Sequence, residues 1–469
     1  MGDITDLGAV ALSRAMEAGD ITAEALMAAT LARIEAANGA VNAIVSLRDP
    51  AHLMEAAKKA DTEERTGWLH GIPLAIKDMA DAAGLPTTQG SPLFRDHVPA
   101  SDSGFVRRLK AAGGIVIGKT NVPEFALGSH TVNPVFGATV NPYAPGITAG
   151  GSSGGAGAAL ATRMVSLADG SDMMGSLRNP AAWNNVYGYR PTWGRVPGEP
   201  GDETYLHRIS TAGPMARNVQ DVVALLRAMA ADDPRWPGAP WPELPEDLDT
   251  DVSGRRIAWL GDWGGAFPME EGVLSLVETA LTVFEQIGVV VEPIAPPHPR
   301  EELWEAWTVL RSFAIAAGLG PLYADPEKRA RIKEDGIWEI ERGMSLSAMD
   351  VHRASAGRYA WLKSALALFE SYDAIVLPAA QVFPFSLDQM WPAEIAGVTM
   401  DTYHRWMEVM VPASLLGLPA LGAPAGFSQS GLPMGLQIIG PPRGGWGVLQ
   451  LGQAYHRATD WPGTRPPAL

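Results

Sequence analysis

Three short segments carry side chains able to do acyl-transfer chemistry. In GSDMMGSLRNP (170–180), Ser171 and Ser176 stand beside Asp172 and Arg178, and no histidine is near them in the chain. A serine hydroxyl attacks a carbonyl only when a base takes its proton. The segment therefore offers two nucleophile candidates and no local base. Read as residues alone, Ser176 after Gly175 is a turn serine, Asn179-Pro180 bars easy continuation into a helix, and Asp172 with Arg178 forms an ion pair that pins the loop. A base is available in GIPLAIKD (71–78), where Lys77 follows Pro73, Leu74, Ala75 and Ile76. At a surface such a lysine packs its stem and extends the ammonium to water or to Asp78. If buried, desolvation disfavours the ammonium, lowers the pKa and leaves a neutral amine that acts as a general base.

The third segment is GGSSGGAGAALA (150–161), in which a glycine turn runs at once into an alanine-rich apolar stretch. That pattern reads as a tight backbone turn feeding a helix whose first N–H groups point outward, the layout that cradles anions. No Lys-Ser/Thr follows the glycines and no G-x-G-x-x-G is present, so the nucleotide-loop patterns fail. Gly151-Ser152-Ser153-Gly154-Gly155 formally matches the G-x-S-x-G nucleophile elbow of α/β-hydrolases, which would make Ser153 an esterase nucleophile served by a histidine. That motif needs a strand immediately before it, and NPYAPGITA is a poor strand.

The elements that must position these groups alternate between helix and strand. Residues 22–38 read as an amphipathic helix capped by Thr22, with Met27, Leu31 and Ile34 on one face. Residues 102–118 give a helix, a Gly113-Gly114 stop and a strand at 115–117. Residues 256–293 repeat the logic with strand RIAWL, a helix over 271–286 and strand VVVEP. ALGAPAGFSQSGLPMGLQIIG reads as two buried strands joined by a polar turn. Such alternation predicts an α/β layered fold. The proline- and acid-rich 230–254 reads as a long surface loop rather than a boundary, because strand–helix patterning resumes after it.

Composition narrows the function classes. Of 469 residues, 46% are hydrophobic and 19% charged, enough for a sizeable core. The formal charge of −16 and the lack of basic runs disfavour nucleic acid and acidic membranes as partners. With no cysteine, thiolate catalysis and Cys-ligated zinc drop out. No basic stretch followed by an apolar core opens the sequence, and the apolar run at 313–324 is too short to span a bilayer, so a cytoplasmic location is expected.

Taken together, GIPLAIKD, GGSSGGAGAALA and GSDMMGSLRNPAAWNNVYGYRPTWGRVP resemble the amidase signature family of Ser-Ser-Lys amide hydrolases. The resemblance extends through ARIEAANGAVNAIV, GKTNVPEFALGSHTVNPVFGATVNPY and GLPALGAPAGFSQSGLPMGLQIIGPP, nearly the whole chain. It implies one large α/β domain over 1–469: a mixed sheet surrounded by helices, with a helical segment at 1–65, the signature core at 66–229, the loop at 230–254 and further sheet and pocket helices at 255–469. It also implies Lys77 as base, Ser152 as bridging serine on a cis peptide, and Ser176 as nucleophile, with no metal or cofactor. Ser153 and Ser171 fall outside the catalytic positions, and Ser171 is expected as a loop residue. The backbone N–H groups of Met173, Met174, Gly175 and Ser176 are implied as the oxyanion hole, with Met174 standing where many members carry glycine. Ala126, Leu127 and Gly128 are expected at the substrate pocket, as are Trp304 and Trp307 from among 15 tryptophans. The implied reaction is hydrolysis of a C–N amide, anilide or carbamate bond in a small to medium uncharged substrate, aromatic ones included, as in an aryl acylamidase or urethanase, by a monomer or homodimer. The alternative within the resemblance is an amidotransferase subunit that works with partner chains.

Overall fold

In the computed structural model, which describes residues 3–198 and 203–469, eleven strands form one sheet. Their order across it is Ile44–Val45, Ile115–Thr120, Pro73–Lys77, Leu167–Asp172, Thr211–Ala216, Tyr187–Arg190, Ala420–Phe427, Pro433–Ile439, Ala374–Pro378, Arg256–Trp259 and Val290–Pro293. Parallel pairs flank Pro73–Lys77 and Arg256–Trp259, and the centre is antiparallel, so the sheet is mixed as expected. Its central strands are buried along their length, which is why Ala420–Phe427 and Pro433–Ile439 read as near-continuous apolar runs.

Helices cover both faces. Thr22 caps Ala23–Val41 by accepting the Ala25 N–H at 3.0 Å, and the helix runs on to Asn42, which takes a left-handed conformation. Gly104–Ala111, Val273–Gln286 and the strands after them lie where the periodicity placed them. The 230–254 segment forms no helix or strand, yet Leu248 and Val252 bury against the body. Residues 313–324 belong to the amphipathic helix Arg300–Tyr323 and its cap, and no helix among the described residues is long and apolar enough to cross a membrane.

Two local expectations fail. Asn179-Pro180 does not stop a helix: Arg178–Trp183 is helical, with Pro180 in its first turn. The first-turn N–H groups of a helix have no intrahelical acceptor, so proline loses nothing there. Ser171 is not in a loop; it lies in the strand Leu167–Asp172.

Candidate active site

Two neighbouring parallel strands build the base end of the site. Ala75 pairs with Ala168, so Lys77 at the end of its strand stands level with residues 170–171. The Lys77 N–H donates to Asp169 Oδ1 at 2.9 Å, which ties its backbone to the adjacent strand. Lys77 is only 1% exposed. Its Nζ lies 2.7 Å from Ser152 Oγ, 2.9 Å from Ser153 Oγ and 2.9 Å from Ser171 Oγ. Burial pulls its pKa down to about 7, although the carboxylates of Asp169 and Asp172 oppose the shift. Burial in turn pushes Asp169 up to about 6. Asp78 takes no part, because its carboxylate turns to Thr88 and to Lys119, 3.7 Å away.

The glycine-serine turn delivers Ser152 on a cis Gly151–Ser152 peptide. The helix that follows, Gly154–Ala161, is buried at all eight residues. It fits there because a Cβ on Gly155 would collide with the backbone of Asn121 and Ala43. Its first N–H groups are already taken, Gly154 by Thr131 Oγ1 and Gly155 by the Asn121 carbonyl, so the turn holds no anion cradle. Ser153 occupies the N-cap position but makes no capping bond. Its hydroxyl accepts from Lys77 Nζ and from the Ser171 N–H, and among the described residues no histidine bonds to it, so the elbow-type esterase arrangement is not assembled here.

Ser176 sits in the turn between strand Leu167–Asp172 and helix Arg178–Trp183, and is 7% exposed. Its hydroxyl holds no hydrogen bond among the described residues, so the structure joins Lys77 to Ser152 but leaves the Ser152–Ser176 link unmade. Reactive hydroxyls of unliganded sites commonly tighten their contacts only when substrate is bound. The turn hangs on Asp172, which is fully buried and accepts from Arg178 Nε at 3.0 Å and from Arg190 Nη1 at 3.2 Å. These two guanidinium groups hold its carboxyl well below the usual range despite burial. Arg178 extends the network to Ser414 Oγ at 2.7 Å and to Gln437, anchoring the turn to the centre of the sheet.

Of the four expected oxyanion donors, one is spoken for. The Gly175 N–H donates to Asp172 Oδ1 at 2.8 Å. The N–H groups of Met173, Met174 and Ser176 have no acceptor among the described residues. Gly175 has φ +85°, and a Cβ there would lie 2.5 Å from Met410 Cγ, so glycine is required at this position. Met174 is absent from the positive-φ positions, which explains why a side chain is tolerated where the resemblance led to glycine. That side chain is 2% exposed and packs in the core. Its neighbour Met173 faces Arg311, whose Nη1 lies 3.3 Å from the Met173 sulfur.

A cavity of about 610 Å³ is walled by Leu127, Gly128, Ile332, Trp391, Tyr403 and Trp406; Lys77, Ser152 and Ser176 do not line it, and Arg311, hydrogen-bonded to both Tyr403 and Met173, connects its wall to the turn. Ser129 in its lining abuts the backbone of Gly151, next to Ser152. Trp406 stacks on Trp183 of the helix after Ser176, with ring centroids 5.7 Å apart. Leu127 and Gly128, expected at the substrate pocket, line this cavity, whereas Ala126 lies in the turn just outside the lining. Trp304 and Trp307 are not at this cavity. Both point from helix Arg300–Tyr323 into the core, with Trp307 fully buried and Trp304 packed on His404. Sequence reasoning missed Trp391, Tyr403 and Trp406, which lie in irregular or 3-10 segments without a readable period. It also missed the hydroxyl of Ser171, which alternation along a strand would have put on the face of Asp169.

A family model described as Amidase matches residues 25–446. The chain belongs to the amidase signature family. It is 34% identical to a glutamyl-tRNA(Gln) amidotransferase subunit from Chloroflexus aurantiacus, over 99% of each. Among solved structures it is similar to a bacterial aryl acylamidase of the same family, with TM-score 0.90 and 26% identity over 98% of this chain and 99% of that one. The corresponding glutamyl-tRNA(Gln) amidotransferase subunit from Thermotoga maritima superposes at TM-score 0.72 and 30% identity, over 93% and 91% of the two chains.

Proposed function

We propose that this amidase-family chain hydrolyses the C–N bond of a small, uncharged, aryl-bearing amide, anilide or carbamate through an acyl-enzyme. The observation that carries the reading is the buried Lys77 amine, lowered to about pKa 7 and 2.7 Å from Ser152 Oγ, at the head of a turn that ends on Ser176. In this scheme neutral Lys77 takes the proton of Ser152 as Ser152 takes that of Ser176, whose Oγ forms a bond to the carbonyl carbon. Free backbone N–H groups of Met173, Met174 and Ser176 hold the tetrahedral oxyanion, each donor typically contributing about 3–4 kcal/mol. Collapse breaks the C–N bond, Ser152 hands the proton to the departing nitrogen, and Lys77 returns one to Ser152. Water then repeats the sequence on the ester and frees Ser176.

Aryl preference is supported by the aromatic wall of Trp391, Tyr403 and Trp406, and by the backbone likeness to an aryl acylamidase. A second reading, an amidotransferase component working with partner chains, draws on the 34% identity to the glutamyl-tRNA(Gln) amidotransferase relatives. The charge of −16 weighs against a tRNA partner. Assay of the purified single chain on a nitroanilide, a primary amide and an aryl carbamate separates the two. Turnover by the lone chain supports the hydrolase. Inactivity on all three refutes it.

A further inference from the structure

The contact between Arg311 and Met173 ties the oxyanion turn to a buried polar cluster outside the triad. Arg311 is 3% exposed, on helix Arg300–Tyr323. Its Nε donates to Glu339 Oε1 at 2.6 Å, and its Nη2 donates to the Tyr403 hydroxyl at 2.6 Å. Glu339 is already served besides this by Ser312 Oγ at 2.5 Å and by the Tyr403 hydroxyl at 3.0 Å. Charge balance and carboxylate hydrogen bonding are therefore complete without Nη1. That group is aimed at the sulfur of Met173, 3.3 Å away. Sulfur is a weak acceptor, yet it is the one the cluster offers to this donor on the oxyanion turn. Met173 is also the first residue of that turn, and its own N–H has no acceptor among the described residues.

The geometry points to Arg311 as a positioning residue that, by donating to the Met173 thioether, holds the Met173 N–H toward the developing oxyanion. The inference rests on Ser176 as nucleophile. The cluster reaches the turn from the cavity side, since Tyr403 forms part of the cavity wall. Without the latch the turn still hangs on Asp172 through Gly175 and Leu177, and the Met173 side chain keeps only its apolar packing against the core, which fixes no direction for its N–H.

The test is the second-order rate at which Ser176 is phosphonylated by an alkyl fluorophosphonate. Ser176 Oγ forms a bond to phosphorus, fluoride leaves, and the phosphoryl oxygen occupies the oxyanion position. This readout needs no knowledge of the amide substrate. Met173→Leu keeps the apolar volume and removes the acceptor. Losing an oxyanion donor outright costs about 10²–10³-fold, so displacing one is expected to slow phosphonylation by about 10-fold. Met173→Gln restores an acceptor at similar reach and is expected within about threefold of wild type, with the two variants melting together. Equal rates for Met173→Leu and wild type overturn the latch. So does a Met173→Gln variant as slow as Met173→Leu, which would assign the effect to packing. A wild-type chain that is not labelled at Ser176 removes the premise. Labelling at Ser176 with no turnover of any amide leaves the latch measurable and rejects only the hydrolase reading.

Discussion

The protonation of Lys77 gives the most searching test of the site. At a pKa of about 7 the amine is roughly half neutral at pH 7 and about 9% neutral at pH 6. An unperturbed lysine with a pKa of 10.5 would be only about 0.03% neutral at pH 7. Burial thus raises the working base about 1,500-fold at neutral pH. The expected kcat/KM rises with pH through a limb near 7 and then levels. Asp169 is the lever on that limb: its negative charge favours the ammonium and holds the pKa up against desolvation. In Asp169→Asn the amide oxygen can still accept the Lys77 N–H, now 2.9 Å from Oδ1, so the strand contact survives while the charge goes. Removing one nearby carboxylate should move the limb toward acid by about one unit. At pH 6 the neutral fraction then climbs from about 9% to about half, and kcat/KM at that pH relative to its own plateau rises about fivefold. Because Lys77 and Asp169 lie close together, the limb reports the pair and not one residue. Stopped-time assays of an anilide from pH 5 to 9 on both proteins provide the measurement. A limb that stays put or moves toward alkali in the variant refutes the assignment of Lys77 as the neutral base.

Other outcomes follow from the same geometry. Ser176→Ala should lower kcat by about 10⁴-fold or more and abolish fluorophosphonate labelling, whereas Ser153→Ala should retain a labelled nucleophile; mass spectrometry of the adduct tells them apart. Asp172→Asn strands Arg178 and Arg190 in the interior and should cost about 3–5 kcal/mol in urea denaturation. Since the folded pKa of Asp172 lies below its unfolded value of 3.8, its stabilisation is present above that pH and lost as pH falls below it, so acid melts should steepen there. Gly175→Ala meets both a positive φ and Met410, and should destabilise by about 1–3 kcal/mol while lowering kcat. Trp307→Ala should cost about 3–5 kcal/mol of stability with little change in KM, whereas Trp406→Ala, equally buried but at the cavity wall, should cost a similar amount and also raise KM, as paired melts and kinetics would show.

The chain's own order of residues settled a good deal. Alternating helix and strand periods reach the α/β class, because periods of 3.6 and 2 follow from local geometry and need no distant partner. Resemblance across ordered motifs pointed to Lys77, Ser152 and Ser176 and to a glycine before the nucleophile. Local rules failed at Pro180 and Ser171, where the deciding fact was position within an element that begins or ends elsewhere. What only the tertiary structure decided were the contacts between residues far apart in sequence. Lys77 meets Ser171 because two parallel strands run side by side, and Ser152 because the turn before helix Gly154–Ala161 packs against those strands; its pKa falls because the site is buried. Gly175 gives its N–H to Asp172 rather than to an oxyanion, and tryptophans at 391 and 406, not 304 and 307, wall the cavity. Burial and proximity of this kind are properties of the packed whole, since the desolvation that makes Lys77 a base exists only when every neighbouring element is in place.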